Sequence, residues 1–347
     1  MRSTGRSVVG LDIEPGYVAA VQSSGGTVAV ERAACAALAP GAVHDGEVAD
    51  VDAVADTLRA LFAEHKLSKR VRLGVANQRI VMRAIDLPPL TDAKEIASAV
   101  RFQAQDHIPM PIEQAVLEHQ VLGPVETPDG TRTRVMVVAA RRDMIERLLE
   151  AATRAGLNPQ GIDLSAFAMI RALHRAGSDD PVLYVNVGGI TNLAVAEGTT
   201  CTFTRAIPYG TESIAGELAQ RRALTLDHAH GWLVHVGLRE PVEDIDGDES
   251  IVEEARAVLA EGARRVGDEV RNSLDFHAAR EGAIAVERLI LTGPAVAIPG
   301  FSDEVAGRIG LPFEVGLIQE AKPGGFSGVD AGRLAVAAGL TVEEIGG

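Results

Sequence analysis

The chain is poor in the residues that mark several classes of protein. Aromatic residues make up only 3% of its 347 residues, so Val, Leu, Ile and Ala must build its core. Two cysteines, Cys35 and Cys201, are too few for a disulfide framework, which fits a reducing compartment. Lys and Arg number 33 against 48 Asp and Glu. The resulting net charge of −15 disfavours a nucleic-acid-binding protein, which needs clustered cations to neutralise phosphates.

Long apolar runs are lacking as well. The longest, such as Leu334–Leu340, fall far short of the ~20 residues of a membrane-spanning helix. Residues 1–6 are polar and run into a strand-like stretch without the apolar region of a signal peptide. We therefore expect a cytoplasmic protein, which could still dock onto a membrane protein.

Apolar residues in general are plentiful. Hydrophobic residues make up 46% of the chain and charged residues 23%, the balance of a folded globular protein, and this content excludes disorder. Single hydrophobic cores stop growing near roughly 250–300 residues. A length of 347 residues therefore predicts at least two lobes.

Two similar glycine-turn hairpins stand out in the sequence. The first reads VVGLDI, EPG and YVAAVQ from Val8, and the second reads VLYVNV, GGI and TNLAVAE from Val182. Each predicts a strand, a tight turn and a second strand, and each continues into a third strand. The copies lie 174 positions apart when Asp12 is aligned with Asn186. Repetition on this scale indicates two related lobes and excludes a solenoid of short repeats.

Glycine turns of this kind suit phosphate binding, because backbone N–H groups can approach an anion where no side chain intervenes. An acidic residue near the end of the first strand can hold the accompanying metal. Asp12 fits that role, and Gly188 and Gly189 fit the phosphate. A plain tight hairpin is the commoner explanation of any one such turn. The duplication, with a later strand and glycine loop at Leu289–Gly293, favours a nucleotide site.

The segment between the hairpins follows a pattern of its own. Strand-like VRLGV and IVMRAIDL precede a helix that we predict from Thr91, as its N-cap, to about Asp106. The run Ile-Pro-Met-Pro-Ile at 108–112 is then predicted to be extended, since each proline biases its predecessor away from helical backbone. The run RTRVMVVAAR predicts a strand covered on both faces.

Taken together, these segments resemble a known family. GLDI…VAAV, LYVNVGGITNLAV and EVRNSLDF…VERLILTGPAVAIPGF are similar to the phosphate hairpins and adenosine loop of the actin-like ATPase superfamily. IDLPPLTDAKEIASAVRFQAQDHIPMPIEQAVLEHQVLG resembles the PilM family of type IV pilus assembly proteins, most specifically over Phe102–Gly123. The resemblance covers nearly the whole chain. It implies a two-lobed, ribonuclease H-like α/β fold with an inserted α+β subdomain shared with the division protein FtsA.

The resemblance also implies subdomain boundaries. The first lobe would contain 1–70, 161–180 and a C-terminal helix in 321–347, and the inserted subdomain would span 71–160. The second lobe would contain a core of 181–215 and 282–320 and a helical subdomain of 216–281.

The resemblance further implies ligands and partners. ATP with Mg²⁺ would lie between the lobes, with Asp12 as the metal-side acid acting through water and Asp163 orienting the attacking water. A groove within Arg83–Leu122 would hold the tail of a PilN-like bitopic membrane protein, which would keep the chain at the inner face of the cytoplasmic membrane. The residues implied at the nucleotide are Gly16, Tyr17, Asn186, Gly188, Gly189, Thr191, Asn192, Gly210, Glu212, Arg271, Ser273, Gly293, Pro294 and Ala295.

Several of these positions depart from the family's pattern. After Asp12 the family has a glycine and small hydroxyl residues, whereas this chain has Glu14-Pro15-Gly16-Tyr17. A carboxylate would then face the phosphates, and the proline removes a backbone donor. The family's hairpin aspartate is replaced by an asparagine at 186, its acid and lysine are absent from 229–233, and a proline at 294 replaces a glycine. These changes predict ATP binding that is weak, altered or lost.

The favoured function is therefore a scaffold that docks a membrane partner's tail, and two alternatives stay open. One is an active ATPase or small-molecule kinase on the same fold. The other is an FtsA-like division filament, disfavoured because no amphipathic membrane helix follows Leu340. A metal site at His228, His230 and His235 is disfavoured, since no Cys or acidic cluster has ligand spacing.

Overall fold

The computed structural model describes residues 8–23, 28–128, 130–280, 282–326 and 328–342. Gly25 and Gly26, where the sequence predicts the turn from the first hairpin into its third strand, lie outside these ranges. The chain forms two compact units. Unit 1 comprises Met1–Asn77 with Ala151–Gly347, and unit 2 comprises Gln78–Glu150.

Strands and helices follow one another in both units. The strands are β1 Val9–Glu14, β2 Tyr17–Ser23, β3 Val30–Ala37, β4 Val43–His44, β5 Glu47–Val48, β6 Arg70–Val75, β7 Val81–Leu87, β8 Ala115–Thr127, β9 Gly130–Arg141, β10 Asn158–Leu164, β11 Pro181–Val187, β12 Thr191–Glu197, β13 Thr200–Ile207, β14 Arg288–Thr292 and β15 Phe313–Val315. The helices are α1 Val51–Glu64, α2 Ala93–His107, α3 Arg142–Arg154, α4 Ser165–Leu173, α5 Thr211–Arg222, α6 Leu226–Val236, α7 Glu249–Ala278, α8 Phe301–Ile309 and α9 Ala335–Leu340.

Unit 1 contains two five-stranded sheets with the same topology. The first has the order β10-β6-β1-β2-β3 and the second the order β15-β14-β11-β12-β13. In each, three strands form an antiparallel meander and two further strands add in parallel to the first of them. The predicted duplication thus corresponds to two equivalent sheets. Both hairpins leave their sheets at the same place, the carboxyl end of the meander's first strand.

The second sheet carries an extensive apolar core. Leu183, Val185 and Val187 of β11 alternate onto one face, where they pack with apolar residues of the helices α5 to α8. Residues Tyr184 and Asn186 therefore project from the opposite face.

Helix α9 is the most enclosed helix of unit 1, since all of its residues are buried. It packs against α4 and β1, and glycines at both contacts allow backbone to approach backbone. A Cβ at Gly339 would lie 1.8 Å from the carbonyl oxygen of Ala168, and one at Gly10 would lie 1.8 Å from that of Ala337. Neither glycine can therefore be replaced without displacing backbone.

Unit 2 is a three-stranded antiparallel sheet, of order β7-β9-β8, covered by α2. Val135, Val137 and Ala139 of β9 form the centre of its core with one face of α2. The N-cap of α2 is Asp92, whose carboxylate accepts hydrogen bonds from two backbone N–H groups of the first turn. The predicted Thr91 cap is therefore wrong by one residue, because aspartate is the better acceptor for these amides.

The compact unit lies inside the predicted 71–160 insertion. Strands β6 and β10, at the two ends of that range, pair with each other and β6 pairs with β1 in the first sheet. The boundaries implied by the resemblance stay a prediction.

Candidate functional site

The first hairpin reverses the chain in the shortest possible way. Glu14 pairs directly with Tyr17, so only Pro15 and Gly16 form the turn. Gly16 has a backbone φ of 87°, a left-handed conformation that favours glycine, and its carbonyl accepts a hydrogen bond from Leu38 N. Pro15 has no N–H. The turn therefore offers an anion almost no backbone donors.

The second hairpin has a longer turn. Val187 pairs with Thr191, which leaves Gly188, Gly189 and Ile190 in the turn. The carbonyl of Gly188 accepts hydrogen bonds from the backbone N–H and the hydroxyl of Thr211, at the start of α5. The N–H groups of the next two turn residues thereby remain directed towards the first hairpin.

Those N–H groups donate to the carboxylate of Glu14. The distances to Oε2 are 2.7 Å from Gly189 N and 3.4 Å from Ile190 N. The side-chain Nδ2 of Asn186 donates to Oε1 at 3.1 Å. Glu14 is only 4% exposed, so the hairpin's anion position is filled by a side chain of the opposite hairpin.

The acidic groups of this site have strongly perturbed pKa values. Burial raises the pKa of Glu14 to about 7, although its hydrogen bonds and the charge of Arg333 lower it. Burial, and then the charge of Glu14, raise the pKa of Asp12 well above its usual range. The guanidinium carbon of Arg333 lies 4.7 Å from the ring centroid of Tyr17. A partly buried cation thus accompanies two buried acids.

The two hairpins touch through their backbones. A Cβ at Gly189 would lie 2.1 Å from the carbonyl oxygen of Pro15, and one at Gly188 would lie 2.3 Å from Glu14 Oε2. On the other side, a Cβ at Gly16 would lie 2.2 Å from Glu212 Oε2. Atoms of the chain therefore occupy the space between the hairpins. The residues present do not fit a polyphosphate in this arrangement.

Asp12 lies deep beside the first hairpin. It is buried in β1, and its Oδ1 lies 3.3 Å from where a Cβ of Gly74 would stand. Within the described ranges, no group of three or more His, Cys, Asp or Glu side chains is arranged to hold a metal ion. The metal role predicted for Asp12 stays a prediction that rests on its position alone.

Asp163, the predicted water-orienting residue, is engaged in an ion pair. Its carboxylate accepts a hydrogen bond from Arg171, a contact that both side chains make while largely buried. Its other oxygen accepts from Leu164 N at 2.8 Å. Arg171 also donates to the carbonyl of Gly339 in α9, at 3.3 Å. The described contacts give Asp163 a structural role that connects α4, β10 and α9.

The remaining hairpin residues predicted at the nucleotide support the turn itself. Thr191 is fully buried and donates to the carbonyl of Tyr209 at 2.8 Å. A Cβ at Gly210 would lie 2.3 Å from the carbonyl oxygen of Gly188. Asn192 is buried, and its Nδ2 has no hydrogen-bond partner among the described residues. Thr191 and Gly210 thus hold the second hairpin against the start of α5.

The residues predicted on the adenosine side form two separate groups. Gly293, at a φ of 98°, lies against β11, since its Cβ would stand 2.7 Å from Asn186 Oδ1. The next two residues, Pro294 and Ala295, are buried in a 3₁₀ turn. The second group lies on α7, where Arg271 donates to the carbonyl of Ile309 at 3.0 Å and Ser273 accepts from Arg205 at 3.0 Å. Both side chains of this group bind protein atoms.

Sequence reasoning missed Arg333 as a member of the site. It lies 319 positions after Glu14, in a 3₁₀ turn capped by Asp330, whose carboxylate accepts from Gly332 N. Burial raises the pKa of Glu212, and the charge of Arg333 partly opposes that rise, as it does at Glu14. Glu212 Oε2 lies 3.4 Å from His230 Nε2. No local signal in an Ala-rich C-terminal segment points to such a contact.

Unit 2 presents apolar side chains to solvent. Phe102 is 73% exposed on the face of α2 opposite Val100 and Ala104, and Val121 and Leu122 are exposed on β8. β8 is also an edge strand of its sheet. A chain edge with unpaired backbone groups and neighbouring apolar side chains can accept another strand.

The Ile108–Ile112 segment presents its residues alternately to the core and to solvent. Ile108 and Ile112 are buried in the core of unit 2, with Met110 packed partly against the same cluster. Ile108 has extended backbone, and a 3₁₀ turn over Ile112–Gln114 follows Pro111. Pro109 and Pro111 are exposed, and a contribution of this segment to the groove expected within Arg83–Leu122 stays a prediction.

Two equivalent sheets with facing hairpins, together with a unit inserted in the first half, define the actin-like ATPase fold. Two solved structures share it at the level of the fold. They are the ethanolamine utilization protein EutJ from Carboxydothermus hydrogenoformans (TM-score 0.54, 16% identity, 97% of this chain and 90% of that one) and MreB5 of Spiroplasma citri bound to ADP (TM-score 0.57, 14% identity, 96% and 94%).

A third structure is much more similar, the PilM-PilN type IV pilus biogenesis complex. Its matching chain is 27% identical, with a TM-score of 0.79, and the match covers 96% of this chain and 97% of that one. The sequence model of the type IV pilus assembly protein PilM family matches residues 10–322. The chain belongs to the PilM family of type IV pilus assembly proteins. Among the described residues, no helix has the length and apolar character needed to cross a membrane.

Proposed function

We propose that this chain is an actin-like scaffold of the type IV pilus assembly platform, or of a related secretion machine, and that it binds the cytoplasmic tail of a PilN-like membrane protein. The observation that carries the proposal is the match to the PilM-PilN complex, which extends over 96% of this chain and so includes unit 2. In this role the chain is cytoplasmic and reaches the inner face of the membrane through its partner.

We propose further that the tail contacts unit 2 within Arg83–Leu122. Phe102, Val121 and Leu122 supply exposed apolar surface there, and the free edge of β8 supplies backbone donors and acceptors. An extended tail would add to this edge as a strand, and its apolar side chains would contact the exposed ones. A few buried anchors, aromatic ones prominent among them, carry most of the binding energy of a typical interface, which makes Phe102 the residue to test.

Isothermal titration calorimetry with the synthetic N-terminal tail of the neighbouring bitopic membrane protein tests both statements. We expect the wild-type chain to bind the tail and Phe102→Ser to weaken binding about tenfold or more. Phe276→Ser is the matched control, because Phe276 is 63% exposed but lies on α7 of unit 1. Absence of binding by the wild type contradicts the function. Equal binding by the two variants contradicts only the surface.

We propose that ATP binding is weak or lost. The placement of the Glu14 carboxylate on Gly189 N supports this, as does the backbone contact between the hairpins. MreB5 of Spiroplasma citri was solved bound to ADP and to AMPPNP, so the fold itself permits a nucleotide. Calorimetry with MgATP provides the test. Tight binding, or ATP turnover abolished by Asp12→Ala, would instead support the alternative of an active ATPase or kinase.

A further inference from the structure

The second hairpin is built as an anion site, and an anion is already in it. The N–H groups of Gly189 and Ile190 and the Nδ2 of Asn186 converge on one carboxylate. Successive backbone N–H groups of a turn make a concavity that binds phosphates and carboxylates alike. Charge-assisted hydrogen bonds of this kind are about twice as strong as neutral ones. The carboxylate is that of Glu14, at the last position of β1.

The position of this carboxylate is fixed by the first hairpin. Because Glu14 pairs with Tyr17 across a two-residue turn, its backbone is held in the ladder between β1 and β2. Its Oε2 fills the volume that a side chain at Gly188 would need, 2.3 Å from such a Cβ. Glycine at this position thus makes room for a carboxylate that arrives from the opposite lobe.

Several positive contributions offset the burial of this charge. Burial raises the pKa of Glu14 to about 7, and three hydrogen bonds and the positive charge of Arg333 keep it from rising further, so the carboxylate is charged above that pH. Arg333 also lies over the ring of Tyr17 in the same hairpin. The pairing of an anion on the turn with a cation beside it is what a bound phosphate and its counterion would otherwise supply.

We propose that Glu14 is a built-in substitute for a nucleotide phosphate, whose carboxylate ties the first hairpin to the second and keeps the two lobes closed in the absence of nucleotide. A phosphate that bridges two lobes leaves when the nucleotide dissociates, and closure then depends on its concentration. A carboxylate carried on β1 never leaves, because its attachment to the chain gives it a high effective concentration at the hairpin. The scaffold then keeps one shape whether or not ATP is present.

A nucleotide would also have to displace this carboxylate before its phosphates could bind. The apparent affinity of the nucleotide is then its intrinsic affinity multiplied by the fraction of time that the hairpin is free. The proposal thereby goes beyond weak ATP binding and gives a positive function to the residue responsible. It does not depend on which tail the scaffold binds.

Hydrogen–deuterium exchange measured by mass spectrometry tests the proposal on the wild-type chain without nucleotide. The peptide spanning 187–191 contains the two donating N–H groups, and we expect it to be protected. In Glu14→Ala we expect its slow exchange to accelerate tenfold or more, since a hydrogen bond to a charged group is lost. The interior ladder of β12, Leu193–Val195, is the internal control and is expected to stay protected.

Two further variants separate this role from general destabilisation. Glu14→Gln keeps the side-chain volume and one acceptor oxygen. We therefore expect its exchange rate at 187–191 to lie between those of the wild type and Glu14→Ala. Glu254→Ala removes a carboxylate that pairs with Arg221 on the surface and is the matched control, expected to leave 187–191 unchanged. Protection that Glu14→Ala leaves unaltered overturns the proposal. So does fast exchange of 187–191 in the wild type, or a change in its exchange on addition of millimolar MgATP.

Discussion

Gly189→Ala provides the most direct measure of the contact between the hairpins. The added methyl group would stand 2.1 Å from the carbonyl oxygen of Pro15 and 3.0 Å from its carbonyl carbon. Gly189 is not among the glycines with left-handed backbone, so alanine meets no conformational penalty of its own. Any effect of the substitution therefore comes from the contact.

The size of the effect follows from which atoms must move. Both partners are backbone, so the hairpins have to separate by more than about 1 Å, and overpacking of this kind costs roughly 1–3 kcal/mol. The same separation breaks the 2.7 Å hydrogen bond from Gly189 N to Glu14, a charge-assisted bond whose contribution is about 1.5–3 kcal/mol. We expect the free energy of unfolding to fall by about 3 kcal/mol. With an unfolding entropy of roughly 0.7 kcal/mol/K for 347 residues, the midpoint temperature of thermal unfolding should fall by about 4 °C.

Urea unfolding followed by circular dichroism measures this change, with Gly216→Ala as the control. Gly216 lies within α5 and has no heavy atom within 4 Å of its prospective Cβ. Alanine there should stabilise the chain by about 1 kcal/mol through its higher helix propensity. We expect the free energy of unfolding to fall in Gly189→Ala and to rise in Gly216→Ala. A Gly189→Ala chain as stable as the wild type would refute the closed arrangement of the hairpins.

Three further predictions concern the rest of the chain. Gly339→Ala should lower the unfolding free energy by about 3 kcal/mol or more, because its Cβ would lie 1.8 Å from a carbonyl of α4; unchanged urea unfolding would contradict it. The carboxylate of Asp86 accepts hydrogen bonds of 2.7 and 2.8 Å from Arg134, and these bonds lower the pKa of Asp86. This partly exposed pair should stabilise unit 2 by about 0.5–1 kcal/mol. The stabilisation should be complete above the ordinary pKa of an aspartate and should disappear as the pH falls through the lowered pKa of Asp86 in the folded chain. Asp86→Asn should remove that dependence, and an unaltered pH profile would contradict the prediction. Finally, burial raises the pKa of both Cys35 and Cys201 to about 12 from 9.0, so at pH 8 their thiolate fraction, and reaction with Ellman's reagent, should be about a thousandfold below that of the unfolded chain.

The sequence was sufficient for the parts of the fold that depend on local pattern. Alternating and buried strands around glycine turns predicted both hairpins, and their repetition predicted two equivalent sheets. The prediction of Thr91 as the N-cap of α2 was wrong by one residue. Thr91 and Asp92 are both residue types that cap helices, and the structure shows that the carboxylate of Asp92 accepts from the N–H groups of the first turn. Extended backbone was predicted over all of Ile108–Ile112, whereas the structure has it at Ile108 and begins a 3₁₀ turn at Ile112. The direction of the side chains depends on the sheet beneath the segment.

The candidate site was harder to predict, because its contacts join distant residues. The departure at Glu14 was visible as an acid where small residues are expected. Its partners, however, lie 172 to 176 positions away on the second hairpin, and Arg333 lies still farther along the chain. An acid facing a phosphate was therefore predicted to repel it, whereas the structure shows the acid accepting a hydrogen bond from Gly189 N of the second hairpin.

The enclosed position of α9 has a consequence for how the chain folds during synthesis. Gly10 of β1 is synthesised 327 residues before Ala337, which it touches. The part of the first sheet that α9 covers therefore stays exposed until this helix has emerged from the ribosome. Contacts between such distant positions form slowly, and the incomplete chain exposes surface that favours aggregation. Ribosome-bound intermediates of this protein should consequently depend on chaperones to an extent that its finished form does not.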